Sequence, residues 1–211
     1  MRSRWFGLVV AALAAALSVW AYPRLPETIA TQWSLRGMPD GYSSRTWAAT
    51  FIPLLIVVLT GVFAALPKVD PKRANYEKFL DVYWLIVNAV LVFVGLAHAL
   101  VVANGLGYTV RVDRLMPLGV GLLLAFLGNY LTRVESNWFI GIRTPWTLSS
   151  DAVWRKTHRT AGWLFVIGGL IIAAGAFAPP GAFVPLFVVT LVVITTVPVA
   201  QSYILWKRER P

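Results

Sequence analysis

The chain is 211 residues long, 58% hydrophobic and 13% charged, with a net charge of +10 and no cysteine. A soluble domain carries about 25% charged residues, so a soluble globular protein is excluded. The missing cysteine excludes a disulfide scaffold, a thiolate metal site and a cysteine nucleophile. In so apolar a chain the basic excess points to loops facing an anionic membrane surface, with no direct nucleic-acid partner.

A bilayer-spanning helix needs about 20 mostly apolar residues, and six stretches supply them: 5–22, 47–66, 82–104, 115–132, 161–178 and 182–206. None of the chain's Asp, Glu, Lys or Arg residues lies inside them. The sequence therefore predicts an all-α integral membrane protein, a single domain built as a six-transmembrane-helix bundle, with membrane lipids as its first partners. Odd-numbered faces carry fourteen Lys and Arg against five (Arg24, Arg36, Arg45, Arg111, Arg114) on the other, which predicts both termini in the cytoplasm. The 23–46 loop is then external and 133–160 a cytoplasmic interfacial loop.

In chain order, Arg2 and Arg4 before the first span resemble the start of a secretory signal. Its apolar run exceeds an h-region of about 7–15 residues, however, and Trp20 stands beside the only small-residue cleavage site, so a retained helix is expected. Ala11 with Ala15, or Ala12 with Ala16, gives that helix a small-residue packing stripe. Trp5, Trp20, Trp47, Trp163 and Trp206 sit at proposed span ends, where an indole keeps its ring apolar and its N–H wet.

In the external loop, Pro23 and Pro26 stop the helix, Thr28 to Trp33 suits an extended segment, and Pro39-Asp40-Gly41 is a turn signal. The loop is long for a connection, and Gln32, Trp33, Arg36, Pro39, Asp40, Gly41 and Tyr42 form a candidate recognition surface. Within the spans, Asn88 and His98 are ten residues apart, about 15 Å on one helix face. Asn129, Thr195, Thr196 and Gln201 complete the intramembrane polar set. Hydrogen bonding between helices is the plainer reading of these residues, and a proton relay the sharper one. Gly121 with Gly128 and Gly168 with Gly175 are heptad-spaced packing candidates, and Pro198 predicts a kink in the last span.

Ahead of the fifth span, Ser149 or Ser150 is a good N-cap and Asp151 suits the positive end of a helix dipole. A helix from there places Val153, Thr157 and Ala161 on one face and Arg155, Lys156 and Arg159 at headgroup level. The candidate partner or lipid residues of this loop are Asn137, Phe139, Gly141, Arg143, Thr144, Pro145, Trp146, Trp154, Arg155, Lys156, His158 and Arg159. Asp151 and His158 lie seven residues apart with cations between them, a poor dyad. No phosphate loop, metal-spaced cluster or nucleophile–base pair stands out, so neither a cofactor nor catalysis is expected.

The segment NWFIGIRTPWTLSSDAVWRKTHRTAG, residues 137–162, resembles the hallmark of the SdpI family of bacterial membrane proteins. LPETIATQWSLRGMPDGY resembles the uncharacterised domain that often heads that family. The resemblance implies a polytopic immunity protein of the plasma membrane that protects against a secreted sporulation-delaying toxin, and it implies signalling by holding a transcriptional repressor at the membrane. It departs at Gln32, where relatives commonly carry a histidine before the aromatic residue, which puts in doubt any pH-sensing or metal-binding role there. The alternatives are an ion-coupled or small-molecule transporter using His98 and the kinked last span, and an enzyme acting on lipid headgroups with the 143–159 arginines as a phosphate clamp.

Overall fold

The computed structural model describes residues 3–34 and 37–209. Its elements in order are α1 (Phe6–Ala21), β1 (Thr28–Trp33), β2 (Pro39–Ser44), α2 (Arg45–Val69), α3 (Leu80–Gly105), α4 (Val112–Leu131), a short α5 (Pro145–Ser149), α6 (Asp151–Gly175) and α7 (Pro180–Glu209). Six of these helices are long and apolar enough to cross a membrane. They carry exposed large side chains along their length, among them Leu13, Val19, Leu54, Leu96, Trp163 and Val189. Such a surface suits hydrocarbon, where backbone groups must be satisfied inside each helix. The protein is thus an all-helical, multi-pass membrane protein with two faces. The hairpin β1–β2 lies at one, and the 132–150 segment, the 70–79 turn, Ser3 and Glu209 lie at the other, called here the cap.

Small residues set the helix spacing. The buried stripe of α1 is Gly7, Ala11, Ala14, Ser18 and Ala21, whereas Ala12 and Ala16 are exposed. The expected pairing by fours gives way to alternating steps of four and three, because one face of a 3.6-residue helix drifts off a strict i+4 row. Between α4 and α6 the backbones nearly touch. A Cβ added at Gly121 would lie 2.5 Å from the Gly169 carbonyl oxygen, and one at Gly128 would lie 2.7 Å from that of Gly162. Gly168 and Gly175 face α7 instead, against Ile194, Thr190, Leu186 and Phe183.

The fifth span begins in the cap. Ser150 is the N-cap, its Oγ accepting the Val153 N–H at 3.2 Å, and α6 then runs unbroken with Val153, Thr157 and Ala161 fully buried on its inner face. Trp163, at the start of the apolar run, is 67% exposed and lies twelve residues into the helix.

The hairpin corrects one expectation. Pro39, Asp40 and Gly41 belong to β2, pairing with β1 through Trp33↔Pro39 and Gln32↔Gly41. The turn lies earlier, where the Gly37 N–H donates to the Ser34 carbonyl at 2.8 Å and Gly37 takes φ +76°. A positive φ is open to glycine without steric cost, and Gly37 meets that need before the Pro-Asp-Gly signal is reached. Pro39 is tolerated at the first residue of an edge strand. Gly41 admits its partner, since a Cβ there would lie 2.9 Å from that of Gln32. The hairpin is seated on Leu25 and Ile29, which pack with Ala21, Ala48 and Val102. A larger cluster of Val10, Ala11, Ile56, Tyr83, Val87, Leu91, Val134 and Trp154 runs from the bundle centre into the cap.

Candidate functional site

The cap is a polar layer bonded to itself. Asn137 is fully buried, its Oδ1 accepting the N–H groups of Phe139 and Ile140 at 2.9 and 2.7 Å while its Nδ2 donates to the carbonyls of Glu135 and Ile140, both at 2.9 Å. Thr144 and Thr147 close a reciprocal capping box on α5. Thr144 also meets Ser202 of α7, oxygen to oxygen, at 3.1 Å. The Trp154 indole N–H donates to the Val134 carbonyl at 2.8 Å, and its ring stacks on His158 with centroids 4.0 Å apart. His158 accepts the Ile142 N–H on Nε2 at 3.0 Å and lies 2.9 Å from the Trp154 carbonyl through Nδ1. Those partners fit the neutral ring with its proton on Nδ1. Gly141 lies against this ring at φ +115°, and any Cβ there would collide with His158 Nε2.

Sequence reasoning missed the other half of the cap, which the α2–α3 connection supplies. Asp70, 2% exposed, accepts from the Lys72 N–H at 2.7 Å, the Trp138 N–H at 2.9 Å and the Tyr76 hydroxyl at 3.0 Å. Lys72 Nζ donates to Ser136 Oγ at 2.6 Å and the Leu148 carbonyl at 2.9 Å, and stands 3.7 Å from Asp151. Asn75 donates to the Ser136 carbonyl at 2.8 Å. Burial, followed by the Asp70 contact, pushes the Tyr76 phenol well above its ordinary range and keeps it neutral.

The remaining predicted loop residues divide by exposure. Trp138, Arg143, Pro145, Arg155, Lys156 and Arg159 are exposed, with Arg143 Nη1 donating to the Trp138 carbonyl at 2.8 Å. Phe139 and Trp146 are half-buried, the latter tilted against Tyr203 of α7 at 5.0 Å. Below Arg155, Lys156 and Arg159 the exposed stripe of α6 continues as Trp163, Ile167 and Leu170.

At the opposite face, a cavity of about 400 Å³ lies under the hairpin. Trp33 and Gln32 form its roof, Leu100 of α3 and Met116 of α4 its sides, and Phe183 and Phe187 of α7 its far wall. Asp113 reaches its rim, paired with Arg111 by two bonds of 3.0 and 2.8 Å. Of the predicted recognition residues, Gln32 and Trp33 line the cavity, while Pro39, Asp40 and Tyr42 are exposed on β2 and Gly41 is half-buried. Arg36 lies outside the described residues.

Three of the polar residues within the spans, His98, Asn88 and Gln201, join helices to one another. His98, fully buried, lies 2.8 Å from Ser18 Oγ through Nε2, and Asn88 Nδ2 donates to the Ser3 carbonyl at 2.9 Å, so both hold α3 to the α1 segment. Gln201 of α7 donates to Thr160 Oγ1 of α6 at 2.9 Å. Thr195 and Thr196 bond back to their own helix, and Asn129 is exposed rather than turned toward Asn88 and His98. Among the described residues no group of three or more His, Asp or Glu is placed to hold a metal ion.

Fold and site together define a multi-pass helical membrane protein with a largely apolar cavity under a hairpin at one face and a self-bonded polar cap at the other. Residues 133–202 match the SdpI/YfhL protein family and residues 9–57 match a domain of unknown function, DUF1648. The immunity protein SdpI of Bacillus subtilis (strain 168) is 30% identical over 197 residues, covering 93% of this chain and 92% of that protein. The chain belongs to the SdpI/YfhL family, and it is a multi-pass bacterial membrane protein. No solved structure matches it.

Proposed function

We propose that the protein confers immunity to a secreted peptide toxin, with the hairpin cavity as the place where the toxin is met. The cavity carries this reading: it is largely apolar, large enough to take more than one peptide side chain, and walled by four helices and by the hairpin, whose strands expose polar and aromatic groups. Membrane-active peptides present such apolar side chains, and a preformed pocket is the usual way to hold one. The charge asymmetry of the loops supports a topology with the hairpin outside and the cap and both termini in the cytoplasm. In that orientation the exposed Trp138 and Arg143 offer a surface for a cytoplasmic repressor, and Arg155, Lys156 and Arg159 meet anionic lipid.

The test is survival of a toxin-sensitive host that expresses the chain. The wild type is expected to protect, whereas Trp33→Ala and the cavity-filling Ala97→Phe are expected to lose protection at unchanged membrane abundance. No gain in survival from the wild type defeats the proposal. Replacing Arg143 by alanine is expected to release a co-purified repressor while leaving protection intact.

A further inference from the structure

A second concavity lies away from the hairpin cavity, within the membrane-spanning part of α1 and α2. It measures about 860 Å³ and is lined by Ala11, Ala12 and Ala15 on one side and by Ala49, Pro53 and Val57 on the other. Small side chains on both helices leave a channel along the pair, and exposed Val19 and Leu54 form its lips. Its lining turns polar only at the hairpin end, where the Tyr22 hydroxyl meets Thr46 Oγ1 at 3.0 Å.

Two arginines flank that polar end, Arg45 beside the Tyr22 ring and Arg24 next in the chain to Pro23; Tyr22 and Pro23 both line the groove. Arg45 lies over the Tyr22 ring at 4.8 Å and donates through Nη1 to the Leu25 carbonyl at 3.3 Å. Arg24 lies over the Trp20 ring at 4.9 Å and donates to the Trp20 carbonyl. Rings and neutral carbonyls hold both guanidinium groups. The ion pairs among the described residues, Lys72 with Asp151 and Arg111 with Asp113, involve neither of them. Each keeps further N–H donors in a planar fork, the geometry that matches a phosphate.

We propose that the α1–α2 groove binds an anionic phospholipid from the leaflet on the hairpin side, its acyl chain lying along the small-residue channel and its phosphate at Arg45 and Arg24. A groove that opens sideways from apolar helices is reached from the bilayer, and a pair of uncompensated cations at one end selects a negative headgroup at the lipid–water boundary. The acyl chain also packs over Ser18, which lines the groove and holds His98 from behind. This site shares no residue with the hairpin cavity, and it stands whether or not that cavity takes a toxin.

Native mass spectrometry of the full chain, released from membranes of mixed phosphatidylglycerol and phosphatidylcholine, tests the proposal. The wild type is expected to retain one phosphatidylglycerol, with a preference over phosphatidylcholine of about thirtyfold for two interfacial cations that weakens with salt. Arg24→Gln with Arg45→Gln is expected to erase the preference while still retaining lipid. Ala12→Leu with Ala15→Leu, lipid-compatible changes that fill the channel, is expected to lower retention of both lipids severalfold. Equal retention of the two lipids by the wild type, or retention unchanged in the leucine variant, overturns the proposal. A retained peptide or second chain that the leucine variant loses overturns it in favour of a protein occupant.

Discussion

Asn137 in the cap and Gln32 in the hairpin are both carboxamides in loops between spans, yet they sit in opposite environments. Asn137 is fully buried with four hydrogen bonds to its own loop, while Gln32 is exposed on a strand and borders an open cavity. The same division runs through the two faces as a whole. The cap buries Asp70, Ser136, Asn137, Thr144, Thr147 and His158, whereas the hairpin rests on a small apolar cluster and turns its polar groups outward. Polar residues that satisfy one another hold a shape; polar residues left exposed around a cavity are free to meet something else.

Three measurements sharpen or break this contrast. The largest effect belongs to Asn137→Ala, which removes four hydrogen bonds, leaves the half-buried Phe139 and Ile140 N–H groups without their acceptor and is expected to cost about 3 kcal/mol, while Gln32→Ala stays within about 0.5 kcal/mol. Thermal unfolding in detergent reads both, and equal losses would erase the distinction. Next comes Gly141→Ala, where a side chain at φ +115° meets His158. It is expected to cost about 2 kcal/mol more than Gly107→Ala and to lower the melting temperature further, because both sites carry the strain of a positive φ while Gly107 has open space around it.

The smallest effect belongs to Tyr76→Phe, about 1 kcal/mol at neutral pH for one hydrogen bond to Asp70. Its pH dependence is the more telling readout. The fold raises this phenol above its ordinary value of 10.0. As pH climbs past that value the unfolded chain gives up the proton first, and stability that is fully present below it is lost. Melting curves of the wild type should therefore fall more steeply above about pH 10 than those of Tyr76→Phe, and parallel curves would refute the coupling.

Much of the architecture was legible because bilayer thickness, proline and side-chain caps act locally. Six uncharged runs marked the helices, and the Ser149-Ser150 pair announced the start of α6 ten residues before its apolar stretch, with Ser150 taking the N-cap. The extended run Thr28–Trp33 was readable as well. What escaped the sequence was set by distant partners. Asp70 and Lys72 lie in no motif, and only the approach of the 132–150 segment turns them into the frame of the cap. The shift of the turn from Pro39-Asp40-Gly41 to Gly37 has the same origin, since two glycine-bearing solutions lay four residues apart and pairing chose between them. For the predicted cap residues, position in the motif did not reveal which side chains were structural; burial did.

The two nitrogens of His158 each address a backbone group, one on Ile142 and one on Trp154. In this role the imidazole acts as an extra peptide unit, a cross-brace offering one acceptor and one donor at a fixed separation. A replacement matched by charge, such as lysine, brings a cation into a buried slot without an acceptor for Ile142. One matched by shape, such as phenylalanine, keeps the stacking on Trp154 and loses both struts. The only side chains that preserve the brace are those that repeat its hydrogen-bond order, which ties this position to histidine through the chain's own backbone rather than through proton transfer.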